Sequence, residues 1–64
     1  MNAAQFISLA DSLRDRALSS GVDLNASNYL VHATLLRALR EQPLHEIEHE
    51  TLSRAVLTAP IRLS

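Results

Sequence analysis

His45-Glu46-Ile47-Glu48-His49 reads H-E-x-x-H. On a continuous helix that spacing sets two imidazoles on one face as zinc ligands, and the glutamate acts as general base on the bound water. The surroundings withhold the rest of this chemistry. A catalytic zinc needs a third protein ligand and an open position. The extended motif would place Gly at 52 and His at 55, where Leu52 and Ala55 stand. Glu48 puts a charge at an inner position that such motifs usually keep neutral, and no strand pattern offers a sheet to wall a cleft. His45 and His49 are therefore expected to be surface residues on a glutamate-rich helix start. A zinc site at His45 and His49 is the alternative, and no hydrolase activity is expected from it.

The other reactive side chains are expected to be structural. His32 falls on the apolar face of a helix, the setting of a core or half-buried histidine with one hydrogen bond. No Ser/His/Asp set has a strand-turn-helix elbow to sit on, and no glycine-rich loop exists to cradle a phosphate. With no cysteine, disulfides and thiolate metal sites are excluded. Arg14, Arg16, Arg37 and Arg40 could make a modest basic patch, but they lack the interleaved aromatics on which single-stranded nucleic acid stacks. No cofactor and no small-molecule substrate is expected.

The elements that position these residues are helices. Asn28 to Glu41 is a long run of strong helix formers free of Gly and Pro. At about 100° per residue, Asn28, Val31, His32, Leu35, Leu36, Ala38 and Leu39 cover nearly half of its circumference, and Tyr29 and Ala33 widen the arc. An arc that broad predicts a helix touched on two sides, the central one of a bundle. Before it, Asn2 and Gln5 have capping-box spacing. Ala3, Phe6, Ala10, Leu13 and Ala17 then form an inward stripe, with Ile7 and Leu9 flanking it and Arg14 at its edge. Gly21 reads as the left-handed residue that stops this helix. Asp23, Asn25 and Ser27 can each cap the next, with Asn25 or Ser27 favoured, and Val22 and Leu24 are expected to tuck under the bundle end.

Pro43 stops the second helix and suits the first turn of a third. Leu44, Ile47, Thr51, Leu52, Ala55 and Ala59 make its inward stripe, and Glu50 and Arg54 are spaced for an ion pair. Pro60 closes it. The expected fold is all-α: a single-domain, three-helix bundle over residues 1–64, with helices at about 3–19, 26–41 and 44–59, monomeric or dimeric.

The chain has 64 residues and a formal net charge of −1, from six arginines against seven acids. That balance gives no general attraction to nucleic acid or to an anionic membrane. No apolar run reaches the roughly 18 residues of a membrane span, and the N-terminal stretch lacks the basic region and apolar core of a signal peptide. A cytoplasmic protein is expected. Domains this small often gain stability by dimerising or docking. Leu9, Leu30, Leu57, Ile61 and Leu63 find no place in the expected core, and together they form a candidate docking or dimer surface.

Leu30-Val31-His32-Ala33-Thr34-Leu35-Leu36-Arg37-Ala38-Leu39-Arg40 resembles the second conserved helix of region 2 in extracytoplasmic-function sigma factors. That helix commonly reads L-V-Q-E-T-L-L-R-A-L-R, and the resemblance covers residues 5–41. Tyr29, His32 and Ala33 stand where the family carries Asp, Gln and Glu toward the polymerase clamp, and the aromatic, basic promoter-melting segment is missing after it. In both respects the chain is closer to the sigma-mimicking domain of alphaproteobacterial stress regulators, which binds an anti-sigma factor. The resemblance thus implies a bacterial protein-binding role in transcriptional regulation. It adds Tyr29, His32, Ala33 and Arg37 to the candidate binding residues. The overall expectation is a small non-enzymatic regulator or inhibitor that docks on a protein partner or on a second copy of itself.

Overall fold

A computed structural model describes residues 1–58. They form three α-helices, α1 (Ala3–Ser19), α2 (Leu24–Glu41) and α3 (His49–Thr58), with a single 3₁₀ turn at Leu44–Glu46. The long dimension is 32 Å, a little more than the roughly 27 Å that the 18 residues of α2 span at the rise of an α-helix. This is the small three-helix bundle that the hydrophobic pattern predicts.

α1 begins with the expected capping box. Asn2 Oδ1 accepts from the Gln5 amide at 2.8 Å, and Gln5 Oε1 accepts from the Asn2 amide at 3.0 Å. It ends in a full Schellman motif. Gly21 takes φ of +91°. The amides of Gly21 and Val22 donate to the carbonyls of Leu18 and Ala17, both at 3.1 Å, satisfying acceptors that a helix end would orphan.

α2 starts earlier than the expected residue 26. Asp23 is its N-cap, accepting from the Ala26 amide at 2.8 Å. Asn25 and Ser27, favoured as caps, lie inside the helix, and Ser27 is fully buried. Leu24, expected under the bundle end, is exposed, whereas Val22 is half-buried. The Schellman motif explains the shift. It turns the chain within Ser20–Val22, so the first residue free to cap is the very next one.

The central helix is α1, not α2. Both α2 and α3 pack on α1, and α2 and α3 scarcely touch each other. The inward face of α1 accordingly spreads to both sides of Leu13. Leu9, expected outside the core and assigned to a docking surface, is buried in it together with Leu13 and Ala17. Phe6 and Ala10 pack against that core from the same helix. Two arginines tie the neighbours on. Arg14 Nε donates to Asn28 Oδ1 of α2 at 2.7 Å, and Arg16 Nη1 donates to the Val56 carbonyl of α3 at 2.8 Å. α2 commits only Ser27, Val31 and Leu35 to full burial. Its broad apolar arc is not matched by neighbours, because the short third helix lands on α1.

The third helix also differs from its expected span of 44–59. Pro43 opens a 3₁₀ turn, and Ile47 has extended backbone (φ −73°, ψ 125°), so α3 starts only at His49. Ile47 is thereby swung into the core from outside any helix. The break changes the phase of α3: Leu52 and Val56 are buried, while Thr51 and Ala55, expected inward, are exposed. Glu50 and Arg54 do not pair. Arg14–Asp11, at 2.8 Å, is the sole ion pair among the described residues. The N-terminal ammonium braces the link by donating to the carbonyls of Ile47 at 2.7 Å and Leu44 at 3.3 Å. Ala59 and Pro60, expected to finish the third helix, and Ile61 and Leu63 of the candidate docking surface lie outside the described residues.

Candidate functional site

The H-E-x-x-H stretch loses its geometric premise. Its two histidines belong to different elements, His45 to the 3₁₀ turn and His49 to the first position of α3, with extended Ile47 between them. The shared helical face that would make them a ligand pair does not exist. Both side chains are exposed. Among the described residues, no three His, Asp or Glu side chains gather into a group able to hold a metal ion.

The two flanks of α2 carry the surface features of the molecule. On one flank, α2 and α1 enclose a shallow pocket of about 310 Å³, lined by Phe6, Ile7, Ala10, Val31, His32, Leu35, Leu36 and Leu39, with Asp11 and Arg14 at its edge. Ile7 is 60% exposed here, Leu36 48% and Leu39 38%. The charges at this edge cancel, since Asp11 and Arg14 are paired. The patch is therefore apolar and neutral, the kind of surface that proteins cover by association. His32, expected half-buried, stands exposed on this flank.

On the other flank, α2 and α3 leave between them an open groove of about 920 Å³. Leu30, Ala33, Thr34, Arg37, Ala38 and Glu41 form the α2 wall. Thr51, Leu52 and Ala55 form the α3 wall, and Gln42, Glu46, Ile47 and Glu48 close the end where the chain crosses over. The groove exists because both helices lean on α1 rather than on each other.

The candidate binding residues are thus divided. Leu30, Ala33 and Arg37 line the groove, and His32 lines the opposite pocket. Tyr29 is exposed and lines neither. Leu57 is exposed on α3, Leu9 is core, and Ile61 and Leu63 lie outside the described residues. Ile7, Leu36 and Leu39 are not among the candidates, because the sequence pattern puts Leu36 and Leu39 on the inward arc of α2 and Ile7 beside the inward stripe of α1. The signal for Leu36 and Leu39 is present in α2 itself, which carries more apolar surface than one neighbour can cover. No helix among the described residues is long and apolar enough to cross a membrane. No protein-family model, curated protein or solved structure matches the chain.

Proposed function

We propose that this chain is a non-enzymatic helical module that acts by docking on another protein through the uncovered flanks of α2. The observation that carries the reading is the packing of α3 on α1, which leaves Leu30, Leu36 and Leu39 of α2 without full cover. Burial of such side chains stabilises a complex by roughly 25 cal/mol per Å² of apolar area removed from water, less the cost of association. The separation of His45 from His49 by an extended residue weighs against the metal-dependent alternative. The similarity of residues 5–41 to sigma region 2 supports placing the docking in transcriptional regulation, in the cytoplasm.

Two measurements test the proposal together. Sedimentation equilibrium reads self-association, and affinity capture from the extract of its own cells reads a foreign partner. A stoichiometric complex of either kind is expected. Leu36→Glu or Ala33→Arg should abolish it, according to the flank in use. Both positions are exposed, so both variants should retain wild-type circular dichroism. A strictly monomeric chain that retains no stoichiometric partner, or a complex indifferent to both substitutions, overturns the reading.

A further inference from the structure

Resting on that reading, we infer that the groove between α2 and α3 receives an amphipathic, basic helix of a different protein. Its dimensions come first. The α2 wall runs from Leu30 to Glu41, about 16 Å or three helical turns. The walls are lined by small side chains, Ala33 and Thr34 facing Thr51 and Ala55. Small residues allow a third helix to approach to the usual 8–10 Å interaxial distance of packed helices. The floor is apolar, with Ile47 and Leu52 buried and Ala38 half-buried. A helix seated there would lie against α2 and α3 and complete a four-helix arrangement whose fourth member is supplied in trans.

Charge selects the occupant. Glu41 ends α2, Glu46 sits in the 3₁₀ turn and Glu48 immediately precedes α3, so three exposed carboxylates line the end of the groove where the chain crosses over. None is paired with a cation within 4 Å among the described residues. Arg37 is the single cation lining the groove, which leaves the groove net negative. Lysines or arginines at the matching end of the incoming helix would answer those carboxylates. The apolar face of a second copy, around Ile7, Leu36 and Leu39, is a poorer match, because the charged residues in its lining are the Asp11–Arg14 ion pair, which brings no net charge to those carboxylates. A nucleic-acid backbone is repelled by the same carboxylates.

The test is a display library of 18-residue helices selected on the purified chain. Their apolar stripe is fixed as Ala and Leu, and their polar face is varied among Lys, Glu, Gln and Ser. Enriched sequences are expected to carry Lys toward one end, to shift the amide resonances of Ala33, Thr51 and Ala55, and to bind more weakly as salt rises. Glu46→Lys combined with Glu48→Lys should weaken them about tenfold or more. Ala55→Arg, which blocks the groove from an exposed position, should abolish binding. Enrichment of acidic or uncharged helices, resonance shifts confined to Ile7, Leu36 and Leu39, or the absence of any enriched binder overturns the inference. None of these results affects a complex found by sedimentation or capture and lost in Leu36→Glu. Failure of the groove assignment is thus separable from failure of the docking reading.

Discussion

Asp23 shows how a single side chain sets a helix boundary. Its carboxylate accepts from the Ala26 amide, satisfying one of the four amides that a helix N-terminus leaves without partners and placing a negative charge at the positive end of the dipole. Asn25, two residues on, has a similar side chain but is already inside α2 and exposed. Asp23→Ala is therefore expected to cost about 1 kcal/mol in thermal or urea unfolding. Asn25→Ala should leave stability unchanged or raise it slightly, since Ala is the better interior helix residue. Equal losses at the two positions would mean that the cap is shared. Sequence reading favours Asn25 or Ser27 over Asp23 and is wrong here, because all three residue types cap well and nothing local ranks Asp23 first. The Schellman turn before Asp23 decided the choice. Gly21 was different: its positive φ was legible in advance, because it comes just after the last apolar position of α1.

At the level of the elements, α3 is the least anchored. It is the shortest α-helix, it packs chiefly on α1, and Arg16 is the polar tie between them. The guanidinium is half-buried, so its bond to the Val56 carbonyl is partly shielded from water and belongs to the stronger, charge-assisted kind. Arg16→Gln is expected to destabilise the chain by about 1.5 kcal/mol. Native-state hydrogen exchange should locate the effect: amides of Leu52 to Val56 should exchange faster, while those of Val31 to Leu35 keep their protection. Uniform acceleration across both helices would mean that α3 and the α1–α2 pair unfold as one unit. The extended backbone at Ile47 was hidden from sequence reading. Leu44, Ile47, Thr51 and Ala55 recur at helical spacing, so the pattern is continuous even though the helix is not. Ile47 reaches the core from a non-helical position, and burial of that side chain favours the break.

For the whole molecule the margin is small. A domain of 64 residues has a net stability of roughly 3–10 kcal/mol. Its core consists of Leu9, Leu13, Val31, Leu35, Ile47, Leu52 and Val56, drawn from all three helices and the link before α3. Leu13, 1% exposed on the central helix, lies where the contributions of α2 and α3 converge. Leu13→Ala is expected to cost about 2–5 kcal/mol, read as a lower midpoint in urea unfolding followed by circular dichroism. A loss below about 1 kcal/mol would show that the core around Leu13 can collapse to fill the space.

Helix type, approximate number and both ends of α1 were written into local chemistry: a capping box, a glycine stop, and leucines and alanines at helical spacing. These features act over a few residues, so they can be read without knowing the neighbours. Which helix sits in the middle was a different kind of fact. α2 has the broadest apolar arc, yet α1 is the helix covered on two sides, because the re-phased α3 packs on it as α2 does. An amphipathic stripe records how much surface can be buried. Which partner buries it depends on shape and reach across the whole chain. Leu9 therefore moved into the core, Leu36 and Leu39 moved out to the surface, and the groove beside α2 came into being only once the third helix had chosen its side.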